Sequence, residues 1–188
     1  MTSTPLVLAT RNPHKLREFE RLLGAAVDRL PDGVELPAET GATFVDNALP
    51  KARTAAAATG RPTIADDSGI EAQALGGGPG VRSARYAGPS ASDQQNLDKL
   101  IREVPPGSPL RYVCALAYVD PRSGEEQVFI GECHGEMAVK AAGTGGFGYD
   151  PVFLPDGETR TMAELTDAEK DAISHRGEAA HKLTEWLR

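Results

Sequence analysis

Two adjacent carboxylates, Asp66 and Asp67, stand in the segment Ala65-Asp66-Asp67-Ser68-Gly69, directly after the short apolar run Pro62, Thr63, Ile64 and Ala65. The run reads as a buried strand following a helix, which places the acidic pair at a strand end. Strand interiors avoid Asp, and like charges side by side repel unless a cation or a proton is shared between them. A carboxylate pair of this kind can do metal-assisted water chemistry on a phosphate. A plain strand-to-turn exit would also use Asp, Ser and Gly, so the pair gains meaning from the polar loops that accompany it.

Four loops carry such chemistry. Thr10-Arg11-Asn12-Pro13-His14-Lys15 lies between a first strand and a first helix, where backbone N–H groups at a helix start stabilise anions. Thr10 and Asn12 add neutral donors and Lys15 a point charge. The loop is not the glycine-rich phosphate loop of nucleotide-binding folds, and a polar turn with an exposed lysine would look the same. Glu39-Thr40-Gly41-Ala42-Thr43-Phe44 precedes a helix that carries Lys51. Magnesium is usually held by one or two carboxylates plus substrate phosphates, and Glu39 with Asp67 supplies that number; a solvated loop acid is the competing reading of Glu39. In Gly143-Thr144-Gly145-Gly146-Phe147-Gly148-Tyr149-Asp150-Pro151, glycines around Phe147 let the backbone approach a flat ligand and leave the ring to stack on it, or else form a tight connector. Ser174-His175-Arg176-Gly177 opens the last helix with donors for a base carbonyl, or for capping that helix.

The elements that must position these loops follow from periodicity. Pro5 to Thr10 reads as a buried strand, and Leu16, Phe19, Leu22 and Leu23 mark a helix over Lys15 to Gly24. Arg29 to Thr40 reads as a loop with a short strand near Val34 to Leu36. Thr43 and Asp46 have capping-box spacing at the start of a helix that ends at Gly60, with a kink or early break expected at Pro50. Ser92 and Gln95 open a helix to about Val104 with Leu97, Leu100 and Ile101 inward. Arg111 to Val119 and Gln127 to Val139 read as an antiparallel hairpin around Asp120-Pro121-Arg122-Ser123-Gly124. Val152 to Leu154 reads as strand, Thr166 with Glu169 caps a short helix, and Ser174 to Leu187 supplies the last one. Helix–strand alternation combined with a long hairpin predicts an α/β fold with a mixed sheet and no repeat or linker.

The bulk numbers exclude several classes. The 188 residues suffice for one domain with a sizeable core, with room for two lobes, and 40% hydrophobic with 25% charged residues is ordinary globular composition. A net charge of −7 with no basic run argues against nonspecific nucleic-acid binding. Cys114 and Cys133 are too few for a disulfide framework or a four-thiolate zinc site, and both fall in strand-like segments as buried thiols. Neither a secretory signal nor a membrane-length apolar stretch is read, so a soluble, cytoplasmic protein is expected.

Taken together the segments are more specific than any one of them. Thr10 to Lys15, Glu39-Thr40-Gly41 with Phe44, Asn47, Ala48 and Lys51, Ala65 to Gly69, Ser83-Ala84-Arg85-Tyr86, Gly143 to Pro151 and Ser174 to Gly177 occur in one order over nearly the whole chain. In this the chain closely resembles the inosine/xanthosine triphosphate pyrophosphatases, which remove deaminated purine nucleotides. The resemblance implies a single nucleoside-triphosphate pyrophosphatase domain over residues 1–188, two-lobed, with a long mixed β-sheet flanked by helices and the active site in the cleft between lobes. It implies a homodimer, and hydrolysis of ITP, dITP or XTP between the α- and β-phosphates. Thr10, Arg11, Asn12, Pro13, His14 and Lys15 would hold the triphosphate, helped by Lys51 and Ser68. Glu39 and Asp67 would be the carboxylates for Mg2+, with Asp67 also the proton acceptor. Phe147, Gly148, Tyr149, Asp150, Lys170, His175 and Arg176 would line the base and sugar pocket. Arg11 stands where the family often has glycine and would add charge near the phosphates, while Asp46 replaces a frequent glutamate.

No Ser-His or Cys-His nucleophile is visible in the motifs, which favours direct attack by water. Two rival readings remain: a pyrophosphatase for modified pyrimidine or other aberrant nucleotides, and a non-catalytic nucleotide sensor. Intact Asp67, Glu39 and Lys15 argue against the sensor, because a pure binder has no need of a water-activating carboxylate.

Overall fold

The computed structural model describes residues 5–24 and 27–188. Strand β1 (Val7–Leu8) is fully buried and pairs in parallel with β2 (Asp28–Arg29) on one side and β3 (Thr63–Ala72) on the other. Helix α1 (Pro13–Leu22) links β1 to β2, and α2 (Phe44–Thr59) leads into β3. Then come α3 (Asp93–Glu103), β4 (Pro109–Asp120), β5 (Glu125–Met137), β6 (Phe153–Pro155), α4 (Asp167–Ile173) and α5 (His175–Trp186). The six strands form one mixed sheet in the order β2-β1-β3-β4-β5-β6, with β6 antiparallel to β5. The predicted α/β class and mixed sheet are therefore found. The connection between β4 and β5 is only residues 121–124, closed by Gly124 N–H on Asp120 O at 2.9 Å, and so short a link makes the pair antiparallel.

The chain divides into two compact units: residues 1–67, 114–131 and 176–188, and residues 68–113 and 132–175. Strands β3, β4 and β5 each contribute residues to both. The first unit has its own core of Leu8, Phe19, Ile64, Leu116 and Leu183, with Leu16 and Phe19 one helical turn apart on α1. The second has Ile70, Leu100, Val104, Val152, Phe153 and Met162. Cys114 and Cys133 are buried free thiols. No helix among the described residues is long and apolar enough to cross a membrane.

Three local expectations are corrected. The short strand lies at Asp28–Arg29, not near Val34 to Leu36, where flanking prolines and the Arg11 guanidinium, which takes the carbonyls of Leu30, Pro31 and Val34, leave no ladder to join. Ile101 is exposed, because the buried stripe of α3 runs through Asn96, Leu97 and Leu100 to Val104. The third concerns Pro50, which does not end its helix. α2 has a complete Thr43–Asp46 capping box at one end and a left-handed Gly60 at the other, and it buries Ala48, Ala52, Ala55 and Ala56. Packing and caps together outweigh one lost N–H.

That tolerance has a measurable cost. Replacing Pro50 with alanine returns an N–H to the Asp46 carbonyl and removes the ring's clash with it. An interior proline costs about 3 kcal/mol relative to alanine, offset by about 1 kcal/mol of unfolded-chain entropy. The net gain of about 2 kcal/mol should raise the melting temperature of Pro50→Ala by roughly 4–8 °C. A lower melting temperature would instead mean that the fold needs the proline at this position.

Candidate active site

The acidic pair is not at a strand end. Asp66 and Asp67 are the fourth and fifth residues of the ten-residue strand β3, 1% and 5% exposed. Two unpaired carboxylates could not stay there, since an isolated buried charge is far too costly. Successive strand residues point to opposite faces, so each acid meets different partners. Asp66 Oδ2 lies 2.9 Å from Lys15 Nζ and 3.5 Å from Arg176 Nε, and Arg176 also reaches Glu18 Oε2 at 3.0 Å. Asp67 Oδ2 accepts from Asn47 Nδ2 at 2.9 Å, and its Oδ1 lies 3.6 Å from Lys51 Nζ. The Lys51 ammonium donates to Glu39 Oε1 at 2.6 Å and to the Asp66 carbonyl at 2.7 Å.

These environments push the two acids apart. Burial favours the protonated form of Asp66, but Lys15, Arg176 and Lys51 outweigh it and hold the carboxyl well below the usual range. Burial also raises Asp67, and there it prevails: Glu39 adds to it, while Lys51 and the Asn47 bond only partly oppose it. Burial would strip the proton from Lys51, yet Asp66, Asp67 and Glu39 together keep it charged. One carboxylate is thus a fixed anion and its neighbour a base of raised proton affinity, the split that assigns acid–base roles in a site.

Asn47 is the residue that its own motif did not single out. Its Oδ1 accepts from the Gly41 N–H at 2.7 Å, which turns the amide so that Nδ2 faces Asp67. A Cβ on Gly41 would lie 2.5 Å from Asp46 Cβ and 2.7 Å from Asn47 Oδ1, so the Glu39-Thr40-Gly41 loop reaches the helix only with glycine there. Glu18 and Asp66 were also unassigned, and only the tertiary contacts with Arg176 and Lys15 reveal them. Asp46 is spent on the Thr43 capping box.

The first loop is less open to an anion than its sequence predicts. Asn12 Oδ1 caps α1 by accepting from the N–H groups of His14 and Lys15, and Pro13 has none to offer. Thr10 Oγ1 accepts from Asn12 N–H, and His14 Nδ1 lies 2.8 Å from the Arg17 guanidinium. The Arg11 guanidinium donates to the carbonyls of Leu30, Pro31 and Val34 in the 30–34 loop. Lys15 is not an exposed lysine: its side chain is 15% exposed and paired with Asp66.

Glu39 and Asp67 come from different elements and converge on one ammonium. Two carboxylates are what magnesium commonly takes from a protein when substrate phosphates and water supply the rest. Among the described residues no group of three or more His, Cys, Asp or Glu gathers to hold a metal.

The second unit gathers the other predicted residues. Asp150 is buried; its Oδ2 accepts from Lys170 Nζ at 2.6 Å and from Phe147 N–H at 2.9 Å, and its Oδ1 from the Tyr112 hydroxyl at 3.0 Å. Lys170 Nζ stands 5.3 Å from the centre of the half-buried Phe147 ring. Gly146 has φ +66°, and a Cβ there would fall on Asp150 Oδ2, so the loop closes on its own carboxylate only with glycine. Tyr149 is buried and donates to Ser83 O at 2.7 Å. Ser68 is half-buried at the start of this unit. His175 stacks on Tyr112 with centroids 4.7 Å apart and planes 10° from parallel. His175 thus joins the Asp150 cluster, while Arg176 reaches Asp66 and Glu18.

Breaking the buried pairing should cost stability. Asp66→Asn strips the counter-charge from Lys15 and Arg176, a loss of about 3–5 kcal/mol for a buried ion pair. The Asp66 pKa is depressed on folding, so its contribution is full above the ordinary Asp value and fades as pH falls through the folded one. The gap between parent and variant should thus be widest at neutral pH and close in acid. Urea unfolding at pH 7 with a difference below about 1 kcal/mol would contradict this.

Comparison with known proteins agrees with this assembly. The model of the Ham1 family matches residues 6–186. A dITP/XTP pyrophosphatase of Erwinia tasmaniensis is 47% identical, covering 100% of this chain and 96% of its own, and one of Frankia alni is 49% identical, covering 97% and 96%. Among solved structures, a HAM1 protein from Coxiella burnetii superposes with a TM-score of 0.85 at 40% identity over 97% of this chain and 98% of that one. A nucleoside-triphosphatase, dITP/XTP pyrophosphatase, from Mycobacterium abscessus gives 0.72 at 44% identity over 96% and 98%. With a family match over almost its full length and relatives near half identity, the chain belongs to the Ham1 family.

Proposed function

We propose that the chain hydrolyses non-standard purine nucleoside triphosphates (ITP, dITP and XTP) to the monophosphate and pyrophosphate. The observation that carries this reading is the split carboxylate pair: a base of raised proton affinity beside a fixed anion, with two lysines at hand. Water attacks the α-phosphorus, the bond to the oxygen bridging to the β-phosphate breaks, and the proton of the water passes to Asp67. Asn47 holds Oδ2 of that carboxylate and leaves Oδ1 to accept the proton. Lys15 and Lys51 stabilise charge that grows on the phosphoryl oxygens. Glu39 and Asp67 would hold Mg2+, which when bound neutralises phosphate charge. Thr10 and Asn12 contribute polar groups to the triphosphate end, and Ser68 a hydroxyl.

The base end falls to the second unit. Phe147 offers a ring face, which tolerates any base, so selectivity must come from hydrogen bonds to the purine 6-oxo edge. The donors that support this role are Lys170 and His175, held by Asp150 and Tyr112. A homodimer in the cytoplasm belongs to the same reading, supported by the family resemblance.

The deciding experiment is pyrophosphate release across a nucleotide panel with magnesium. ITP or XTP should exceed ATP by at least about 10²-fold in kcat/KM. Comparable values for ITP and ATP would refute the reading, preference for a modified pyrimidine would move the substrate class, and binding without turnover would make the protein a sensor.

The proton acceptor is tested separately. Asp67→Asn should lower turnover by about 10²–10⁴-fold at saturating magnesium. In the parent, activity should fall in acid as pH drops through the raised Asp67 pKa, because only the carboxylate accepts a proton. Asn47→Ala removes a bond that favours the charged form, so the acidic limb should move to higher pH. An unmoved pH–rate profile would detach Asn47 from the chemistry.

A further inference from the structure

Tyr112 lies in the interior of β4, outside every segment that the sequence marks for chemistry, yet it touches both Asp150 and His175 of the second unit's polar cluster. Its hydroxyl donates to Asp150 Oδ1 at 3.0 Å. Its ring lies 4.7 Å from the His175 imidazole and nearly parallel to it, and 4.5 Å from the Phe153 ring at 34°. The residue is 6% exposed, and its three neighbours His175, Asp150 and Phe153 are 3%, 3% and 0% exposed.

We propose that Tyr112 is a specificity-positioning residue, which sets His175 and Asp150, and through Asp150 the Phe147 backbone and Lys170, in one fixed arrangement for reading the base. The inference rests on the proposed function and deepens its base-recognition half. A buried phenol needs an acceptor, and Asp150 provides it while its other oxygen holds Phe147 N–H and Lys170 Nζ. The near-parallel stack defines the plane in which the imidazole presents its nitrogens. The groups so placed come from a loop and from two helices, α4 and α5, whereas Tyr112 stands on a central strand of the sheet. Donors on separate elements are held to the tolerance that hydrogen-bond selection needs when a rigid element locks them. Asp67, Lys51 and Lys15, which handle the phosphate end, belong to the other unit.

The test compares Tyr112→Phe and Tyr112→Leu with the parent in kcat/KM for ITP and ATP, with the His175 ring proton shifts read by NMR. Tyr112→Leu loses both stack and hydroxyl. It should lower the ITP-to-ATP ratio on the order of 10–10²-fold, mainly through KM for ITP, while ATP turnover stays within about threefold. Tyr112→Phe keeps the stack, should retain the upfield His175 shift, and should recover most of the ratio, leaving a deficit of about threefold from the lost Asp150 bond. Parallel losses for ITP and ATP in Tyr112→Leu, or an unchanged ratio, would overturn the inference by reducing Tyr112 to a core aromatic. Should Tyr112→Leu fail to fold, Tyr112→Phe decides alone, and an unchanged ratio there counts against it. A parent that does not prefer ITP overturns the proposed function itself, an outcome distinct from a preference the variants leave intact.

Discussion

Two carboxylates buried side by side in one strand are the constraint to which much of this molecule answers. β3 could not fold with Asp66 and Asp67 unpaired, and two acids on one face would repel each other. Strand alternation resolves the conflict by sending them to different partners. Asp66 draws Lys15 from α1 and Arg176 from the start of α5, while Asp67 draws Asn47 and Lys51 from α2. Three helices are thereby tied to one strand by charge as well as by apolar contact. The pairing that makes the strand tolerable also differentiates the two acids, so stability and chemistry come from the same contacts.

The backbone requirements are narrow where this network is closest. Gly41 lets the Glu39 loop meet Asn47, and Gly146 lets the Phe147 loop fold onto Asp150. In both places the glycine makes room for a carboxylate or amide oxygen, and not merely for a turn. The two loops also share a device: a backbone N–H is given to a side chain that in turn orients another polar group, Asn47 toward Asp67 and Asp150 toward Lys170 and Tyr112.

Much of the fold was legible in the sequence because its helices carry complete local signals. Thr43–Asp46, Ser92–Gln95 and Thr166–Glu169 all form the capping boxes that their spacing announces. The hairpin strands and the Phe153–Pro155 strand follow from β-rich runs bounded by turn residues. What was not legible depends on distant partners. The short strand at Asp28–Arg29 exists because β1 offers it a ladder, and the Arg11 guanidinium faces the 30–34 loop because that loop presents three carbonyls. Among the site residues, Glu39, Lys51 and Asp67 do converge, as do Phe147, Asp150, Lys170 and His175. Asp66 and Asn47 stand in marked segments without a role of their own, and Glu18 and Tyr112 stand outside them, since an acid, an amide or an aromatic in a regular element has no local signature of its role.

The two thiols have a use that neither packing nor redox chemistry suggests. Cys114 belongs to the first compact unit and Cys133 to the second, and both are buried. Burial, with Asp66 adding to it, pushes the Cys114 thiol well above its ordinary range, so the thiolate that alkylating reagents need is scarce in the closed state. Covalent labelling of each sulfur therefore waits on opening of the structure around it. Because the units carry one thiol apiece, the two labelling rates clock their separate openings in a single unmodified chain, a pair of native stopwatches for local unfolding.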